Sequence, residues 1–342
     1  PTSPPWPANC SNYGGRPYYN FDELGWGENG WLNDPIELDP LYDCGKDLWS
    51  GSVGYGYNDV DGQHHVSAVY DDWTRPGSYL FTSEAVVNGQ IVLGTENMII
   101  NPAHLGTEDY SSRAILSMNN DGEGLLGLDG IFFGNNMDTG ECTSPITCNK
   151  TPMFKLTTDF GQTWAGNHAS YDLYYVPDDV FDNIFESWPS EVVSDPCTGL
   201  TEPIVDFWSW YEFDMRVDSE GNPHIVISMI GETETDFPII EGKTGFYHLT
   251  IDKNVLSQAG VLDDNPATNP INSPTGWNWS YIPLPANDSF GWSRPDGYSY
   301  LYGAMCQISL SRDDPNVVYM VSNIGAEGPM SEDYDANQDG VE

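Results

Sequence analysis

Apolar positions along this chain come in short runs of β-branched and aromatic residues separated by clusters of Gly, Asn and Asp, the pattern of many short strands joined by tight turns. The run at 316–322 is strand-length, and no run reaches the roughly 18 apolar residues that a membrane-crossing helix needs. One stretch departs from this pattern. Over 178–188, Val180, Phe181, Ile184 and Phe185 fall at i, i+3 and i+4, which predicts a helix of about three turns set into a β scaffold.

The pattern also repeats. Residues 59–70 align with 218–229: in each, an acidic turn with Gly62 or Gly221 is followed by His65 or His224 and an apolar strand. Related turns occur at 120–122 and 313–321. The aligned copies are 159 residues apart, three steps of 53, and a step near 50 suits a four-stranded propeller blade. The expected fold is therefore all-β, a β-propeller of about six four-stranded blades over residues 17–330. A β-sandwich with similar turns is the competing architecture. Residues 1–16, rich in Pro and Gly, read as an arm or linker, and 331–342 as a separate acidic segment.

Charge narrows the partners. The 342 residues carry 52 Asp and Glu against 11 Lys and Arg, a formal net charge of -41. Such a surface repels phosphate backbones and anionic lipid, so neither nucleic acid nor membrane insertion is expected. It also calls for screening by salt or calcium. The six cysteines, Cys10, Cys44, Cys142, Cys148, Cys197 and Cys306, include no C-x-x-C pair, which favours disulfides over zinc or dithiol chemistry. Cys142 and Cys148 bracket a short loop that they can close, and the other pairings stay open. Sequons at Asn9, Asn149, Asn278 and Asn287 are compatible with a secreted glycoprotein. The sequence starts Pro-Thr-Ser without an initiator Met, so either a processed leader or an internal fragment is expected, and both fit a secreted or cell-surface location.

The most specific motif is Thr157-x-Asp159-x-Gly161-x-Thr163-Trp164. Asp159 and the Thr157 hydroxyl suit hydrogen bonding to the backbone of a tight hairpin, Gly161 a positive φ, and Trp164 packing at the start of a returning strand. The motif resembles the Asp-box of the sialidase-like propeller superfamily, which includes sialidases, sortilin-type receptors, xyloglucan-degrading enzymes and non-catalytic surface propellers. That resemblance implies a structural turn on the rim, away from any catalytic centre. The composition is also similar to that of exported surface proteins of Bacteroidota, which pair such propellers with calcium repeats and a sorting domain for type IX secretion.

A sialidase would need three Arg for the substrate carboxylate, a Tyr nucleophile with a Glu partner, and an acid Asp. The chain has six Arg, and the family's Arg-Ile-Pro element is replaced by Thr74-Arg75-Pro76 and Ser293-Arg294-Pro295. Arg75, Arg216, Arg294 and Glu212 are the residues available for such a site. The expected role is instead a non-catalytic surface or matrix module that binds glycan, protein or copies of itself, with a sialidase-like glycoside hydrolase as the alternative. Trp277, Trp279 and Tyr281 alternate along one strand face, as do Tyr298, Tyr300 and Tyr302, and Trp208 and Trp210 form another pair. These rings either present a platform for sugar or fill the space between blades. Asp333, Asp335, Asn337 and Asp339 before Gly340 alternate oxygen donors around a turn, similar to dockerin and thrombospondin-type calcium loops, so calcium is the expected cofactor. The acidic ligand that closes such a loop would fall beyond Glu342. His64 and His65 near Asp71 and Asp72 read as blade-forming residues, since His65 recurs as His224.

Overall fold

The computed structural model describes residues 17–20, 35–37, 48–72, 75–87, 90–94, 96–101, 114–131, 150–166, 172–195, 199–234, 238, 240, 242–258, 276–282, 292–293, 299–300, 306–311, 314 and 317–322. Antiparallel strands dominate them. A two-residue ladder comes first, β1 (Tyr18–Tyr19) against β2 (Ile36–Glu37). The first sheet pairs β3 (Leu48–Asn58), β4 (Gln63–Asp72) and β5 (Arg75–Val87) in order. Long β5 takes β6 (Gln90–Leu93) on its far half and β7 (Asn97–Ile100) on its near half.

The second sheet is a four-stranded meander of β8 (Ile115–Met118), β9 (Gly124–Ile131), β10 (Lys150–Thr157) and β11 (Tyr174–Tyr175). Helix α1 (Asp178–Phe185) and the hairpin β12 (Glu191–Asp195) and β13 (Leu200–Pro203) follow it. The third sheet is another meander, of β14 (Asp206–Val217), β15 (Pro223–Glu232), β16 (Gly245–Ile251) and β17 (Trp277–Ile282), with α2 (Lys253–Gln258) before its last strand. Two ladders complete the series: β18 (Trp292–Ser293) with β19 (Ser299–Tyr300), and β20 (Cys306–Leu310) with β21 (Val318–Ser322).

Successive sheets meet through their first strands. β3 lies against β8, β8 against β14, and β14 against β20. A polar bond marks each step: Ser52 Oγ donates to the Leu116 carbonyl at 3.0 Å, the Val217 N–H to Ser117 Oγ at 3.2 Å, and the Ile308 N–H to Asp214 Oδ2 at 2.9 Å. Gly54 and Gly56 let β3 come this close, because a Cβ at either would run into Leu116 or Phe160. Apolar residues between the sheets form a large core, with Leu125, Leu126, Phe154, Phe213, Ile225 and Tyr247 all buried, and Leu48, Ala68, Tyr70, Tyr79 and Phe81 of the first sheet form a second, smaller one. Burying side chains of this kind is worth about 1.5–3 kcal/mol each.

The helix expected at 178–188 forms over 178–185, and residues 186–188 continue it as a turn in which the Trp188 N–H donates to the Phe185 carbonyl. Val180, Phe181 and Ile184 are buried, and Phe181 meets Phe207 of β14 with ring centroids 5.4 Å apart. The repeated turns all join a first strand to a second: 58–63, 119–123, 218–222 and 311–317, one for each of four successive sheets. The aligned copies at 59–70 and 218–229 lie in the first and third of these sheets, with α1 and the two-stranded β12–β13 sheet between the second and the third, and the interval from Asn119 to Asp218 is 99 residues.

Candidate functional site

The first strands of the four sheets lie side by side around a cleft of about 430 Å³. Tyr55 of β3, Met118 of β8, Val217 of β14 and Leu310 of β20 all line it, so these four strands run the same way; β8, β14 and β20 end there, while β3 continues three residues past it to Asn58. The turns that follow supply its polar rim. Asn119 Oδ1 accepts the N–H groups of Asp121 and Glu123, both at 3.0 Å, while Asp218 Oδ1 accepts those of Glu220 and Asn222, both at 2.8 Å. Gly122 and Gly221 complete these two turns at positive φ. Asn119 Nδ2 donates to the Asp218 carbonyl at 3.0 Å and locks one turn to the next.

Negative charge prevails at this end. Asp121 and Asp218 line the cleft with Arg216, whose guanidinium is 2.8 Å from the buried Asp214 carboxylate. Beside it, a depression of about 540 Å³ holds Asp121, Glu123, Glu220 and Asp252, with Lys253 ion-paired to Glu123. Burial acts to raise the Asp218 carboxyl, but bonds from His224, Asn222 and Glu220 outweigh it and hold the group below its usual range. Behind Asp218 is a chain of two imidazoles: His224 Nε2 lies 3.4 Å from Asp218 Oδ2, and His224 Nδ1 lies 2.9 Å from His248 Nε2. The rings are 12° from parallel with centroids 5.0 Å apart, so with so short an N···N contact they meet edge to edge. Burial, then the neighbouring His224, pushes His248 down to about 4.

The Thr157–Trp164 turn follows β10, which is parallel to β8, and stands at the same end of the molecule. Asp159 accepts from the Thr163 N–H at 2.8 Å, the Thr163 hydroxyl at 2.6 Å and the Thr157 hydroxyl at 2.8 Å. Thr157 Oγ1 accepts the Gly161 N–H, and Trp164 Nε1 donates to the Gly161 carbonyl, both at 3.0 Å. Phe160 and Gly161 both have positive φ, 60° and 79°. The turn reaches the first sheet: Phe160 packs on His65, Gln162 Nε2 meets His65 Nδ1 at 3.2 Å, and Thr82 Oγ1 donates to the Gly161 carbonyl at 3.2 Å.

The aromatic stripe of β17 faces inward. Trp277 is 4% exposed and meets Phe154 edge-on, Trp279 and Tyr281 pack partly buried against the core, and Trp279 Nε1 donates to Asn183. Of the two roles open to these rings, Trp277 takes the packing one, its ring lying against Phe154 of the second sheet. Trp208 and Trp210 lie on β14, Asn278 is exposed on β17, and Tyr300 lies on β19. Asn9, Asn149, Asn287, Tyr298, Tyr302 and the segment with Asp333, Asp335, Asn337 and Asp339 lie outside the described residues, as do Arg294 and all the cysteines except Cys306 of β20. His64 and His65 are not joined to Asp71: His64 meets Tyr55 and Tyr57, and Asp71 instead accepts from Ser78 and Ala114.

Sequence reading missed Tyr55, Tyr57 and the cleft beside them. Its one available signal was the alternation Val53-Gly-Tyr55-Gly-Tyr57, a strand with one face reserved for close approach and the other for rings. No protein-family model, curated protein or solved structure matches the chain.

Proposed function

We propose that the four successive sheets are blades of one Asp-box β-propeller, and that it serves outside the cell as a non-catalytic module binding glycan, protein or copies of itself. The observation that carries the fold is the order of the first strands: β3, β8, β14 and β20 touch in chain order, run in one direction and line a common cleft. A sandwich would stack sheets face to face instead of arranging first strands about an axis. The turn at 157–164, between the third and fourth strands of its sheet, supports the same reading. A crystal or electron-microscopy structure of the isolated protein tests it, with sheets radiating from an axis as the expected result and two stacked sheets as the result that overturns it.

The binding role rests on the polar rim and on Arg216, the one Arg among the described residues that line the cleft, whose positive charge is already matched by Asp214. Calcium is the cation we assign to the protein, since a net charge of -41 is best screened by a divalent ion and Asp333, Asp335, Asn337 and Asp339 offer oxygen donors. A glycan array, capture of surface polymers and sedimentation with and without calcium test the role. Binding or self-association without turnover of fluorogenic glycosides is expected. Turnover lost on Arg216→Ala would replace this reading with the hydrolase one.

A further inference from the structure

Apart from the repeat-bearing turns, the cleft has one unusual wall, β3, which contributes Tyr55 to the lining and carries Val53 and Tyr57 on either side of it along the same face. On β3, Val53, Tyr55 and Tyr57 point the same way and are 59%, 52% and 42% exposed, whereas Gly54 and Gly56 on the other face press against the second sheet. His64 is wedged between the rings: Tyr55 Oη lies 2.7 Å from His64 Nδ1, and the Tyr57 and His64 ring centroids are 4.8 Å apart. The tyrosines thus sit on a strand fixed from behind and are held from the side, so little freedom remains to be lost when a ligand arrives. Flat rings stand at the edge, and within the cleft Asn120, Ser219, Ser309 and Ser311 supply donors and acceptors beside Arg216 and Asp121.

We infer that this cleft, with Tyr55 and Tyr57, is a binding site for a neutral oligosaccharide. The inference rests on the binding-module reading and names its ligand. A sugar ring has an apolar C–H face to lie on a tyrosine and a hydroxyl edge that both donates and accepts, which is the combination of surfaces present here. Charge selects the neutral class. Asp121 and Asp218 line the cleft, Asp214 matches Arg216, the adjoining depression is acidic, and the whole chain carries -41, so a uronate or sialyl group meets repulsion. Carboxylates accept from neutral hydroxyls without that penalty.

Calorimetric titration of the full chain with neutral and with sialylated or uronate oligosaccharides tests the site, alongside Tyr55→Ala, Tyr57→Ala and the cleft-filling Ser309→Trp. Binding of a neutral oligosaccharide is expected, weakened roughly tenfold or more by each tyrosine truncation. Unchanged melting temperatures check that these surface variants stay folded. Preference for acidic sugars, or neutral binding indifferent to all three substitutions, overturns the assignment. A blank titration with a protein partner or self-association present sinks the glycan site and leaves the module reading intact, whereas glycoside turnover removes that reading itself.

Discussion

Asp159 shows how much one side chain organises. Its two oxygens receive three hydrogen bonds within the turn, and these outweigh partial burial to hold the carboxyl below its usual range. Asp159→Ala leaves the Thr163 N–H and two hydroxyls to find other partners, and the expected loss is about 1–3 kcal/mol of unfolding free energy, read by denaturant titration. Gly161→Ala is expected to be costly as well, because φ is 79° and the new Cβ would stand 2.5 Å from Ser67 Oγ. His248 makes a pH prediction at the same scale. Its folded pKa of about 4 lies below the ordinary 6.5, so its contribution to stability is complete above about pH 6.5 and lost as pH falls toward 4. His248→Gln should lessen the acid destabilisation between those values, and urea midpoints at pH 7, 6 and 5 that run parallel for both proteins would contradict it.

Between elements, the recurring device is a buried carboxylate that reaches from one sheet to the next. Asp71 of β4 accepts the Ala114 N–H at the entry to β8, Asp129 of β9 accepts from Ser209 of β14 at 3.2 Å, and Asp214 of β14 accepts the Ile308 N–H of β20. Burial raises Asp71 to about 7 against bonds from Ser78 and Ala114, which lower it. Between 3.8 and 7 the native state then holds a proton that the unfolded chain has released, so this group makes stability fall as pH rises through that window. Asp71→Asn should remove that slope while costing about 1–3 kcal/mol where an N–H loses its acceptor. Comparing unfolding free energies of both proteins at pH 5, 6 and 7 isolates the effect, and equal slopes would exclude it. None of these links was legible in the sequence, since each joins residues from different sheets. The turns were legible, because Asn or Asp with a following Gly is a local device, and so was α1, because Val180, Phe181 and Ile184 meet the core at helical spacing. The inward direction of Trp277 and Tyr281 was not, because alternation along a strand separates two faces without saying which is covered.

Across the whole molecule, net charge is the property that packing does not balance. The first strands bring the turns of four sheets to one end, and there Asp121, Glu123, Asp218, Glu220 and Asp252 gather against Arg216 and Lys253. The chain as a whole carries -41. Repulsion among exposed carboxylates acts over about 10 Å at 0.1 M salt and about 3 Å at 1 M. The melting temperature should therefore rise by at least a few degrees, the shift expected from about 1 kcal/mol in a protein of this size, between 10 mM and 1 M sodium chloride. Screening alone does not distinguish ions of one kind. Calcium bound at oxygen ligands adds a term set by occupancy, growing as RT ln(1 + [L]/Kd), and it saturates where screening does not. Melting in millimolar calcium should exceed melting in sodium chloride of matched ionic strength, with the difference removed by a chelator and levelling off as calcium increases. Equal melting at matched ionic strength would leave the protein stabilised by salt alone and would withdraw calcium from its proposed function.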